Sequence, residues 1–135
     1  MKKIVIDSCV FISHFGKDGL THQSKSFFQK ISQTNTQIIL PALVAAEVVV
    51  ILRQNGAINL EKIFQIFSQM KFSEINRESI KDLATFLKTN RSSLKTSDLI
   101  IALTTKLNKA TLVTWDKQLL KNNFCKATTP KEYEN

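Results

Sequence analysis

The opening of the chain constrains its fold more than any other feature. Ile4-Val5-Ile6 is a continuous β-branched run, preceded by Lys2-Lys3 and cut off at once by Asp7. It shows no alternation of apolar and polar residues, so it reads as a strand buried on both faces, the kind that parallel sheets contain. Similar short runs follow at Gln37–Leu40, Lys71–Ile75, Ala110–Val113 and Phe124–Ala127. Each is separated from the last by a segment with helical patterning. Strand–helix–strand alternation implies crossover connections, and hence an α/β domain whose central, mostly parallel sheet of about five strands is flanked by helices on both faces.

The helical segments carry their own stop and start signals. Val10–Phe15 reads as a short helix ended by the Gly16-Lys17-Asp18-Gly19 loop. Thr21 is a candidate N-cap for a helix running to about Thr34, with Phe27, Phe28 and Ile31 inward. Pro41 suits a helix start, and Ala42–Arg53 follows it up to Gly56. Asn59, Asn76 and either Thr96 or Ser97 are expected to cap helices reaching Met70, Lys88 and Asn108. Lys117–Asn122 reads as a last helical turn. With 135 residues and no linker or repeat, one domain spanning residues 1–135 is expected.

Composition narrows the function classes. There is no G-x-G-x-x-G and no P-loop sequence, so dinucleotide and P-loop chemistry lack support. A net charge of +8 makes a polyanion a natural partner, although basic residues are scattered and folding must assemble any binding surface. Cys9 and Cys125 match no C-x-x-C pattern and read as reduced thiols, which fits a cytoplasmic protein. The apolar stretch from Ile38 to Leu52 contains Pro41 and Glu47 and falls short of the roughly 20 residues of a membrane span.

Four of the eleven acidic residues occupy unusual positions. Asp7 and Asp116 each follow a predicted strand, at the sheet edge where open α/β folds place their sites. Glu47 has Leu43, Val44, Val50 and Ile51 as its helical neighbours, and Asp98 has Leu94, Ile101 and Ala102. Separate structural explanations exist for each: Asp7, Asp98 and Asp116 can cap helices, and Glu47 can pair with Arg53 or with a lysine from elsewhere in the chain. A single metal site accounts for all of them together. Two carboxylates about 4 Å apart repel by roughly 4 kcal/mol at an effective dielectric of 20, so a cleft holding several recruits a proton or a divalent ion. Oxygen donors favour Mg²⁺ or Mn²⁺. His14 and His22 lack zinc spacing.

These residues resemble the PIN domain, and in particular the VapC-type toxin ribonucleases of bacterial and archaeal toxin–antitoxin pairs. Val5-Ile6-Asp7-Ser8-Cys9-Val10-Phe11-Ile12 is similar to the family's opening strand and acid, and Glu47 to its helical glutamate. Asp98-Leu99-Ile100-Ile101-Ala102 resembles its D-x-x-I-A helix start, and Thr111-Leu112-Val113-Thr114-Trp115-Asp116 its strand ending in T-x-D. Thr129-Pro130-Lys131-Glu132-Tyr133 resembles its C-terminal ending. The likeness runs in order along essentially the whole chain. It departs at Cys9, where Asn or Ser is more common, and at Leu119, where Phe is usual.

The resemblance implies a Mg²⁺- or Mn²⁺-dependent endoribonuclease that cleaves RNA. Asp7, Asp98, Asp116 and Glu47 would hold the metal or orient its water, while the Ser8 and Thr114 hydroxyls support them. It also implies a cognate antitoxin and a homodimer, with Val48–Leu52 and Ile63–Phe67 as either a dimer surface or part of the core, and RNA drawn by lysines such as Lys17 and Lys25. A catalytically silent PIN-fold binding module and a housekeeping RNA-processing nuclease are the alternatives. Receiver domains and D-x-D phosphatases fit poorly, because the first strand offers Asp7 alone and position 9 is Cys.

Overall fold

The computed structural model describes residues 1–57 and 59–134. Five strands form one sheet in the order β3-β2-β1-β4-β5, with β1 at Lys2–Ile6, β2 at Thr36–Pro41, β3 at Lys71–Ser73, β4 at Thr111–Val113 and β5 at Ala127–Thr128. Every pairing is parallel. The chain builds outward from β1 through β2 to β3, then crosses back to lay β4 and β5 on the other side. The reversal falls between β1 and β4, and in open α/β sheets that switch point opens a crevice at the carboxyl ends of the strands.

Helices fill the crossovers: α1 (Ser8–Phe15), α2 (Thr21–Ser32), α3 (Ala42–Gln54), α4 (Leu60–Phe67), α5 (Arg77–Leu87), α6 (Thr96–Leu107) and α7 (Lys117–Leu120). The β-branched run of β1 is wholly buried, as are Leu112 and Val113 beside it. Val10 and Phe11 of α1, Val44, Val48 and Leu52 of α3, and Ile101 and Ala102 of α6 pack into the same core. Phe11 meets Phe67 edge-on at 5.3 Å and leans on Phe28 at the same separation. Each such side chain contributes roughly 1.5–3 kcal/mol by leaving water.

Several expectations shift in detail. The last strand lies at Ala127–Thr128 rather than Phe124–Ala127, because Asn122 Oδ1 accepts the Phe124 and Cys125 amides and curls that segment into a turn. The segment after Asp7 is helical from Ser8, two residues earlier than expected. Thr21 does not cap α2; its hydroxyl accepts the Asp18 amide instead. Neither Thr96 nor Ser97 caps α6, whose N-cap is Lys95. Val48, Leu52, Ile63 and Phe67 are core residues, since α3 and α4 turn these side chains inward. Leu119, in the position where Phe is usual, is also fully buried.

Candidate active site

The crevice between β1 and β4 is built on hydrogen bonds to one carboxylate. Asp7 leaves β1 with its backbone N–H on the Val113 carbonyl at 3.0 Å, so its position is fixed by the sheet. Its Oδ1 accepts the Ser8 amide at 2.8 Å, capping α1, and its Oδ2 accepts the Thr114 hydroxyl at 2.8 Å. Thr114 is 0% exposed, and its Oγ1 in turn accepts the Asp116 amide at 2.9 Å. One hydroxyl therefore joins the acids that end two adjacent strands. Asp116 Oδ1 accepts the Gln118 and Leu119 amides and caps α7. For both aspartates the capping role is real. In each it engages Oδ1 through backbone amides, which orients the carboxylate towards the crevice.

Asp98 caps nothing. It sits in the first turn of α6, 7% exposed, and its carboxyl is held above the usual carboxylate range. Burial is the main cause, opposed by the nearby Lys95 ammonium and reinforced by the negative charges of Asp116, Asp7 and Glu47. The charges of the other three acids singled out in the sequence thus all reach Asp98. Glu47 belongs to the margin of α3 rather than to its core stripe: Val44, Val48 and Leu52 are buried, while Glu47 is half-exposed. This corrects the expectation of a core-facing stripe around it, since Leu43 and Ile51 are half-buried and Val50 is exposed. A carboxylate at a cleft margin keeps part of its hydration and costs less than one inside the core.

Among the described residues, no three His, Cys, Asp or Glu side chains already stand at metal-ligand spacing. Asp7 and Asp98 are buried while Glu47 and Asp116 are half-exposed. Their chemistry suits a hard divalent cation held partly through water, since Mg²⁺ gives up its waters reluctantly and usually takes only one or two carboxylates directly. Burial raises the carboxyl of Asp98, and the three neighbouring acids add to that rise against the Lys95 charge.

The histidines stand apart from this chemistry. His14 lies against Phe15 and Phe28, its Nδ1 is buried without a partner, and burial followed by the Lys25 charge lowers its pKa. His22 and Lys25 are exposed on α2, and Lys17 is exposed in the loop before it.

Two residues of the site escaped the sequence reading. Cys9, noted there as a departure, donates its thiol to Asp7 Oδ2 at 3.4 Å and accepts the Trp115 amide at 3.3 Å. Burial, then the Asp7 charge, pushes that thiol up to about 12, so it stays protonated and unreactive. Trp115 was not singled out at all. Ser8, conversely, serves Asp7 through its backbone N–H. The two cysteines are free, as expected.

With this geometry in view, comparison with known proteins is informative. No curated protein sequence matches the chain. Among solved structures, a toxin–antitoxin complex from Klebsiella pneumoniae is similar over 98% of this chain and 99% of that one, with a TM-score of 0.70 and 19% identity. VapC20 from Mycobacterium tuberculosis, described as a sarcin–ricin loop cleaving toxin, matches over 90% of this chain and 95% of that one, at TM-score 0.71 and 8% identity. FitAcB from Neisseria gonorrhoeae matches over 96% and 99%, at TM-score 0.72 and 14% identity. At these identities the likeness establishes the fold. The PIN domain family model matches residues 4–124, a span that runs from β1 past Asp116 and takes in Glu47 and Asp98, and on that match the chain belongs to the PIN domain family.

Proposed function

We propose that this PIN domain is a divalent-metal-dependent endoribonuclease, acting as the toxin of a toxin–antitoxin pair. The observation that carries the reading is the charge on Asp98. Three other carboxylates, delivered from β1, α3 and the end of β4, bear on one buried carboxyl at the switch point of the sheet. Lys95 bears on Asp98 as a cation of the protein's own, but three carboxylates bear on it as well, so the cluster carries a surplus of acids for a ligand to neutralise.

In this reading Asp7, Asp98 and Asp116 hold Mg²⁺ or Mn²⁺ directly or through water, and Glu47 at the margin binds the ion or orients a water. The ion, when bound, lowers the pKa of water and offsets charge at the phosphodiester. The chain's own contribution is positional. Thr114 keeps Asp7 and the Asp116 amide in register, and the two caps aim both carboxylates. RNA is the substrate, attracted by the net positive charge and by exposed lysines such as Lys17 and Lys25.

A cytoplasmic location and an antitoxin partner follow from this reading, in keeping with the toxin–antitoxin complexes among the structural neighbours. No helix among the described residues is long and apolar enough to cross a membrane. For a homodimer, α5 supplies the surface. It buries no side chain, and Ile80 and Leu87, seven residues apart on one stripe, are 53% and 44% exposed.

RNA cleavage assays with Mg²⁺ or Mn²⁺, with and without EDTA, test the proposal alongside isothermal titration of Mn²⁺. Cleavage that stops on chelation and is absent from Asp98→Asn is expected. Binding of RNA without cleavage in either metal would assign the fold to a silent binding module instead.

A further inference from the structure

A continuous chain of hydrogen bonds runs from the α1–α2 connection into the acid cleft. Asp18 Oδ1 accepts the Ser13 hydroxyl at 3.1 Å and also the Leu20 amide at 2.8 Å. Ser24 donates to Ser13 Oγ at 3.1 Å, and the Trp115 indole N–H donates to Ser24 Oγ at 3.0 Å. The Trp115 amide then donates to Cys9 Sγ, and Cys9 to Asp7 Oδ2. Ser13 is 2% exposed and Ser24 0% exposed. Each hydroxyl gives one hydrogen bond and receives one, so no member of the buried chain is left with an unmade donor bond.

Position in the sequence gives the network its meaning. Thr114 commits its hydroxyl to Asp7, and Asp116 commits its carboxylate to α7 and the cleft. Trp115, between them, is the residue that ties this turn to α2, across 91 positions of sequence. Its two N–H groups point opposite ways, the side chain to Ser24 and the backbone to Cys9. A displacement of Trp115 would therefore shift the adjoining Thr114 and Asp116 backbone and weaken the bond to Cys9.

From this we infer that Trp115 is a positioning residue, its indole clamped on Ser24 of α2 so that the Thr114–Asp116 turn stays in register with Asp7. The inference rests on the nuclease reading for its kinetic consequence and on the geometry alone for its structural one. Supporting partners around metal-binding carboxylates typically contribute about 10–100-fold to affinity or activity. Misplacing a reacting group by an ångström has a cost of similar size.

Ser24→Ala removes the acceptor of the indole together with the bond to Ser13, and Trp115→Phe removes the donor while keeping a ring and the Ser24–Ser13 bond. Each is expected to lower kcat for RNA cleavage by about 10–100-fold with KM changed less than about threefold, and to weaken Mn²⁺ binding severalfold in calorimetry. Because both act on one bond, the double variant should be no worse than the worse single one. The chain has one tryptophan, so its indole N–H gives a single NMR resonance. That signal should move when Mg²⁺ is added to the wild type, and exchange with solvent faster in Ser24→Ala. Wild-type kcat and Mn²⁺ affinity in a folded Ser24→Ala protein would overturn the inference, as would a fall in melting temperature with both left intact. A wild type that cuts no RNA, paired with altered Mn²⁺ affinity in Ser24→Ala, would sink the nuclease reading and keep this one.

Discussion

Thr114 donates its hydroxyl to Asp7 Oδ2 at 2.8 Å across 107 positions of sequence, in a pocket where Thr114 has no solvent exposure. The bond can neither exchange with water nor be replaced by it. Thr114→Val keeps the shape, removes the donor to Asp7 and leaves the Asp116 amide without its acceptor. We expect about a 10–100-fold loss of metal-dependent cleavage and roughly 1–3 kcal/mol of stability, measured by chemical denaturation. Thr114→Ser, which retains the hydroxyl, should recover most of both.

Asp98 places function and stability in opposition. Its carboxyl is held above the ordinary value of about 4, so the native state binds this proton more tightly than the unfolded chain does. Its effect on stability is neutral below that ordinary value, turns unfavourable as pH rises through the folded pKa, and is at its full cost at neutral pH. Asp98→Asn should therefore melt a few degrees higher than the wild type in EDTA at pH 7.5, a difference on the order of 1 kcal/mol that shrinks towards pH 4. Mn²⁺ should reverse the order. At free Mn²⁺ about 100 times Kd, linkage adds roughly 2.7 kcal/mol to the wild type and far less to the variant. Thermal melts at the two pH values, with and without the ion, check both halves.

His14 titrates with the opposite sign. Burial against Phe15 and Phe28, with Lys25 nearby, lowers its pKa, so the unfolded state takes up the proton first. The native state is unaffected above about pH 6.5, the ordinary histidine value, and loses stability as pH falls from there through the lowered folded value. His14→Phe removes both the titration and the unpartnered Nδ1. Its stability curve between pH 7.5 and 5 should be flatter than that of the wild type, as followed by urea unfolding.

What was legible in the sequence depended on whether the physics was local. Ile4-Val5-Ile6 and Leu112-Val113 announce themselves because strands buried on both faces must be continuously apolar, and the acids that end them could be read at once. Asp98 stood out as an acid among apolar neighbours, and it makes no cap bond to α6. β5 was misplaced because a two-residue strand has no period to detect, and the Asn122 turn before it looks equally apolar. Val48–Leu52 and Ile63–Phe67 divide between core and surface, with Val48, Leu52, Ile63 and Phe67 buried and Val50 and Phe64 exposed; helical patterning cannot tell a partner within the chain from one outside it. Cys9, Ser24 and Trp115 were illegible as a group, since their bonds span 91 and 106 positions and each residue is unremarkable alone.

Lys109 offers a test of the scaffold far from the acids. It follows α6 with φ at +52°, in the left-handed region, while its amide bonds the Lys106 carbonyl and the Ala110 amide bonds that of Thr105. This is the helix ending that glycine usually fills, because a Cβ carries a steric cost there. The turn delivers the chain into β4 and lies beside Lys2 and Lys3, at the sheet edge opposite the cleft. Lys109→Gly should relieve the strain and raise stability by about 0.5–1 kcal/mol after the entropy of the more flexible unfolded chain is subtracted. A rise in melting temperature of roughly 2–6 °C with unchanged Mn²⁺ affinity is the expected result. A fall would mean that Lys109 makes contributions through its side chain that outweigh the backbone strain.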